Sequence, residues 1–140
     1  MAARPHPHTA RSPVAALDTP AASAAALRTF FQIARVWELS ATEEQRLLGV
    51  QRSTAYAWRG GNFPARLDAD TLERLSYVFG IYSALQVLFP VADRADAWIR
   101  KPNTAPLFGG ESALARMLGG KVADLFEVRH YLDAVRGGVS

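Results

Sequence analysis

Read from its amino end, the chain shows no hydrophobic period before Leu27. Residues 1–22 mix Ala, Thr and His with prolines at 5, 7, 13 and 20, the pattern of a flexible arm. From Leu27 the apolar positions Leu27, Phe30, Phe31, Ala34 and Trp37 recur at three- and four-residue spacing, which is one face of a helix. Ser40 then stands three residues before Glu43, the spacing of a capping box, in which hydroxyl and carboxylate each satisfy the other's backbone amide. The pattern predicts a helix from Ala41 to about Leu48, ended at Gly49 with positive φ. A further short helix runs from Arg52 to Arg59 and stops at Gly60-Gly61 and Pro64.

Beyond this point Asp68 or Asp70 caps a helix with the apolar face Leu72, Leu75, Val78 and Phe79, expected to end at Gly80. Leu85 to Phe89 reads as a separate apolar segment closed by Pro90. A helix over Ala92–Arg100 presents Trp98, and Lys101–Gly110 is a structured loop rich in Pro, Asn and Gly. A short helix spans Ser112–Leu118, with Ser112 as its cap. The last helix, about Val122 to Arg136, is expected to bury Val122, Leu125, Val128 or the stem of Arg129, Leu132 and Val135 before Gly137-Gly138. No segment alternates like a strand, so the fold class is all-α. We divide the chain into an arm (1–22), a helix-turn-helix domain (23–90) and a small C-terminal helical domain (91–140).

The segment 41–60, ATEEQRLLGVQRSTAYAWRG, has the parts of a helix-turn-helix: a first helix, a glycine turn and a second helix. Val50, Ala55 and Trp58 are spaced to bury the second helix over Leu47 and Leu48. This leaves Gln51, Arg52, Ser53, Thr54, Tyr56 and Arg59 as the candidate DNA-facing set, able to donate to phosphates and base edges. Charge sharpens this reading only locally. The net charge is +3, from 14 Arg, 2 Lys and 13 acids, and both halves are nearly balanced. Between Arg46 and Arg66, however, there are four Arg and no acid. So few charges make a single module a weak binder, and a dimer or larger assembly is expected to place two recognition helices on one DNA face.

In the C-terminal region, the string Trp98-Ile-Arg-Lys-Pro-Asn103, followed by Leu107-Phe108-Gly109-Gly110 and a final helix ending in Gly-Gly, resembles the toxin-binding domain of the Xre/MbcA/ParS antitoxins. The likeness covers about residues 27–140. One departure is Ala113 after Ser112, where family members often carry Pro; Ala still permits a capped helix. The resemblance implies a cognate toxin with a RES domain, which consumes NAD, and occlusion of that toxin's active site by this chain's C-terminal region. It also implies operator binding by the N-terminal half. Trp98, Pro102, Asn103, Phe108, Gly109 and Gly110 would then belong to the toxin-binding machinery. Arg129, Tyr131, Asp133 and Arg136 would offer polar contacts from the last helix. The small-residue tail Gly137, Gly138, Val139 and Ser140 would enter a narrow pocket, its carboxylate meeting arginines that bind NAD.

Other chemistry finds no support. There is no cysteine, hence no disulfide, thiolate metal site or thiol nucleophile. His6 and His8 lie in the arm with no nearby carboxylate, and His130 stands alone on a helix. We expect no enzyme activity, no cofactor and no metal, and a cytoplasmic protein without a signal peptide or membrane contact. Partners are the toxin, operator DNA and further copies in a homodimer or higher hetero-oligomer, with Phe89, Val91 and Leu107 as candidate self-association residues. The competing expectation is a free-standing helix-turn-helix regulator without a toxin; a third is an antitoxin that has lost DNA binding.

Overall fold

The computed structural model describes residues 19–137. The first helix, α1 (Pro20–Val36), begins earlier than its apolar period. Thr19 Oγ1 accepts the Ala22 amide at 3.1 Å and Pro20 takes the first position, where its missing N–H costs nothing. Residues 20–22, expected in the arm, thus belong to α1, and the rest of that expected arm, 1–18 with His6 and His8, lies outside the described residues. Ser23 and Ala26 are already buried, but such small residues give no visible hydrophobic stripe. Helix α2 (Ala41–Leu48) carries the expected box: Ser40 N donates to Glu43 Oε1 at 2.8 Å, and Glu43 N to Ser40 Oγ at 3.1 Å. Gly49 ends it at φ +68°, and α3 (Arg52–Arg59) follows.

Helix α4 (Ala69–Leu88) corrects the sequence reading. Asp68 caps it through the Thr71 amide at 2.8 Å, and it runs unbroken through Gly80, absorbing the apolar segment expected to stand apart. Gly80 is there for room: a Cβ at this position would fall inside the guanidinium of Arg129. The glycine's cost in helix propensity, about 1 kcal/mol, is accepted for a close crossing with the last helix. After α5 (Ala92–Ala97) comes one 3-10 turn, Trp98–Arg100, then α6 (Ala113–Met117), capped by Ser112 Oγ on the Ala115 amide. Helix α7 spans Val122–Arg136, as the sequence predicts. Among the described residues, strand-like pairing is confined to one bridge, Pro102 to Ser112.

The long helices α4 and α7 make the most extensive packing in the molecule. They bury Leu75, Val78, Ile81 and Leu85 from one side and Leu125, Val128 and Leu132 from the other. Cutting one such Leu to Ala costs about 2–5 kcal/mol. Val135, expected in this seam, is 41% exposed, because the seam ends at Leu132. Residues from 23–90 and from 91–140 contribute to one hydrophobic cluster.

Arginines fasten the two halves by donating to backbone carbonyls. Arg46 Nε reaches Leu118 O at 2.8 Å, and Arg74 Nη2 reaches Gly120 O at 3.0 Å. Arg100 donates to Trp37 O at 3.0 Å and Glu38 O at 2.6 Å, and Arg129 to Ser76 O at 3.3 Å. Arg74 is 8% exposed, and its guanidinium fills the space that a side chain at Gly49 would need. The turn of the helix-turn-helix thus rests on a group that is itself bonded to the α6–α7 turn.

Candidate functional site

The first candidate face is α3. Ala55 and Trp58 are buried and Val50 half-buried against α2, as a helix-turn-helix requires. Gln51, Arg52, Ser53 and Tyr56 then share the outer surface, with Tyr56 76% exposed. A tyrosine so exposed contributes nothing to the core and leaves a ring and hydroxyl free for a partner. Two members of the expected set are placed differently. Thr54 is half-buried. Arg59 Nε pairs with Glu44 Oε1 at 3.2 Å, and Glu44 is 4% exposed. Burial pushes the Glu44 carboxyl above its ordinary range, and the Arg59 charge partly offsets this. Arg59 is therefore an internal tie between α2 and α3, with about half its side chain still in solvent. Arg46 is likewise tied to Leu118 O, so Arg52 is the most available charge of the recognition helix.

The second candidate face lies at the C-terminal end. Trp98, Phe108 and Tyr131 meet as three rings: Trp98 stacks on Tyr131 at 6.4 Å, and Phe108 stands edge-on to both, at 5.9 and 5.2 Å. Phe108 is 5% exposed. The loop between them is closed by Asn103. Its N–H donates to Glu111 O at 3.0 Å, its carbonyl accepts from Gly110 at 2.9 Å, and its Oδ1 accepts from Ala105 at 2.9 Å. Gly109 (φ +58°) and Gly110 (φ +92°) supply left-handed backbone. Pro102 is exposed and holds the bridge to Ser112. Within the string expected to touch a toxin, Phe108 is buried, Trp98 and Asn103 are half-buried, and Pro102, Gly109 and Gly110 lie at the surface.

On α7, Arg129 is spent internally. It pairs with Asp133 at 3.1 Å and caps Ser76 O over Gly80. Asp133 also lies 3.9 Å from Arg136, which is exposed, as is Gly137. Gly138, Val139 and Ser140 fall outside the described residues. Sequence reasoning missed Phe126, 46% exposed, which stacks on His130 and meets Tyr77 edge-on. A bulky ring off the buried spacing was the available signal. Among the described residues no group of acids and histidines is placed to hold a metal, and no helix is long and apolar enough to cross a membrane.

Two family models match this architecture. The Antitoxin Xre-like helix-turn-helix domain matches residues 16–80, and the Antitoxin Xre/MbcA/ParS C-terminal toxin-binding domain matches residues 84–138. The chain belongs to the Xre/MbcA/ParS-type antitoxins. It is an antitoxin with a helix-turn-helix and a toxin-binding domain, which gives it a toxin and DNA as partner classes. The Sinorhizobium fredii (strain NBRC 101917 / NGR234) protein printed as "Uncharacterized protein y4oB" is 50% identical over 117 residues, 81% of this chain and 86% of that protein. The boundary between the two family segments falls at 81–83, inside α4.

Proposed function

We propose that this antitoxin binds and occludes a RES-domain toxin that consumes NAD, and that it represses its own operon through α3. The supporting observation is the position of α7. Its inner face is locked on α4, while its last turn, from Asp133 through Arg136 to Gly137, stands at the surface. A tail of small residues leaving such a fixed point fits a narrow substrate cleft, at low steric cost and in a defined direction. Operator contact falls to Gln51, Arg52, Ser53 and Tyr56, with Arg59 acting through the geometry of α3. In this reading the chain performs no catalysis and needs no cofactor, and it works as a homodimer or a larger assembly with the toxin in the cytoplasm.

The experiment is co-expression with the protein encoded by the neighbouring gene, scored by growth and by hydrolysis of NAD in the cells. The expected result is rescue of growth, preserved NAD and co-elution of both chains. Removing residues 137–140 should weaken neutralisation at least tenfold; undiminished neutralisation would refute the role of the tail. A neighbour that is neither toxic nor bound favours the free-standing regulator.

A further inference from the structure

The outermost strip of α7 reads Ala123, Phe126, His130, Ala134 and Gly137 at three- and four-residue spacing, and all five are exposed. It contains no Asp, Glu, Lys or Arg. Solvated helix faces are ordinarily charged or polar, and this one is apolar or aromatic from end to end. Its two rings are held in place. Phe126 and His130 stack at 5.7 Å with a 16° interplanar angle, and Tyr77 from α4 stands edge-on to Phe126 at 5.7 Å. Tyr77 is in turn fixed by its hydroxyl, which donates to Glu73 at 2.9 Å. Aromatic side chains already ordered before binding lose little freedom on docking, which is the physical basis of an interface hot spot.

We propose that this strip, braced by Tyr77, is the surface that docks the toxin. The inference rests on the reading that this chain neutralises a partner toxin. Three observations choose the occupant. The strip lies within residues 84–138, matched by the toxin-binding domain model. Of the ring cluster, Phe108 is buried and Trp98 and Tyr131 are half-buried against it, so the fully exposed apolar surface is left to other residues. The strip also reaches Gly137 at the exposed end of α7, the residue from which the proposed occluding segment departs. Its lack of cations gives it no attraction for nucleic acid phosphates. The complementary patch on the toxin is apolar and uncharged, beside the mouth of its active site.

The test compares the full-length wild type with Phe126→Glu, and with Val87→Glu as a control at another exposed apolar position. The probe is the affinity-tagged protein encoded by the neighbouring gene. Phe126→Glu should weaken the complex about 30-fold or more, the scale of a lost hot spot, and abolish growth rescue. Operator binding and the melting temperature should stay near those of the wild type, and Val87→Glu should bind within about twofold of it. Should Phe126→Glu fail to fold, His130→Glu on the same strip carries the test, with a loss of about tenfold expected. Unchanged affinity in a folded strip variant overturns the docking surface and leaves the antitoxin reading standing. A variant that only dissociates free copies of this chain overturns it too, because the strip then joins identical copies. Failure of the wild type to bind the neighbour's product refutes the antitoxin–toxin pairing itself, and the strip's role falls with it.

Discussion

The two working faces of this molecule contrast in how they are built. On α3, Gln51, Arg52, Ser53 and Tyr56 of the expected set lie at the surface, while Thr54 is half-buried and Arg59 is tied to Glu44, because a short helix lying over a glycine turn has only one side to bury. At the C-terminal end the bulky residues that carry the family resemblance pack on one another. Trp98, Phe108 and Tyr131 form a ring cluster with Phe108 buried, Asn103 closes the loop, and the fully exposed ring of α7 is Phe126. The contrast teaches that a recognisable string can serve packing and loop closure, and it fits the proposal that the contact surface lies beside that string on α7.

The contrast is tested most severely at Trp98. If its cluster is a frame, Trp98→Ala should lose about 3 kcal/mol of stability, read by denaturant unfolding. Toxin affinity should fall only in proportion to the unfolded fraction. A folded variant with strongly reduced affinity would make Trp98 a contact residue. Next comes Gly80→Leu, which displaces the Arg129 guanidinium from Ser76 O and Asp133; with the better helix propensity of Leu offsetting part of that loss, it should cost about 1 kcal/mol. Thermal melts should show both halves weakened together; a shift confined to one half would break the picture of a shared core.

On the other face, Arg52→Ala should weaken operator binding about tenfold and reduce the log–log salt slope by about 0.9, the signature of one lost phosphate contact. Arg59→Ala should change that slope less, because the Glu44 pair already occupies its charge. Equal changes in slope would return Arg59 to the set of direct contacts. The smallest effect belongs to Glu44→Gln, expected within about 1 kcal/mol at pH 7. Its signature is in the pH dependence. The folded carboxyl titrates above its ordinary value of 4.5, so its contribution to stability is complete below that value and is lost as pH rises through the folded value. The Gln variant should lose that part of the slope, measured as unfolding free energy between pH 4.5 and 7.

Much of the fold was legible because its signals are local. The box at Ser40 and Glu43, the positive φ of Gly49, the cap at Ser112 and the length of α7 each depend on residues a few positions apart. What escaped depends on distant partners. Gly80 reads as a helix stop until Arg129 is found lying across it, 49 positions away. Arg46 and Arg59 look like a basic surface because a charged side chain does not announce which carbonyl or carboxylate it will meet. The start of α1 was hidden for a different reason: Ala and Ser bury too little area to draw a stripe. At the candidate sites, Gln51, Arg52, Ser53 and Tyr56 followed from spacing, whereas the Phe126–His130 pair emerged only once α7 was seated.

Helix α4 has a consequence for the chain's lifetime. It gives its first turns to one family segment and its last turns to the other, so neither segment retains a separate core when the other opens. Local opening of either should approach the free energy of global unfolding. A protease that captures the opened chain at any point then ends both attachments in one event. Release of the toxin and release of DNA would share a single clock, set by how often this one core comes apart.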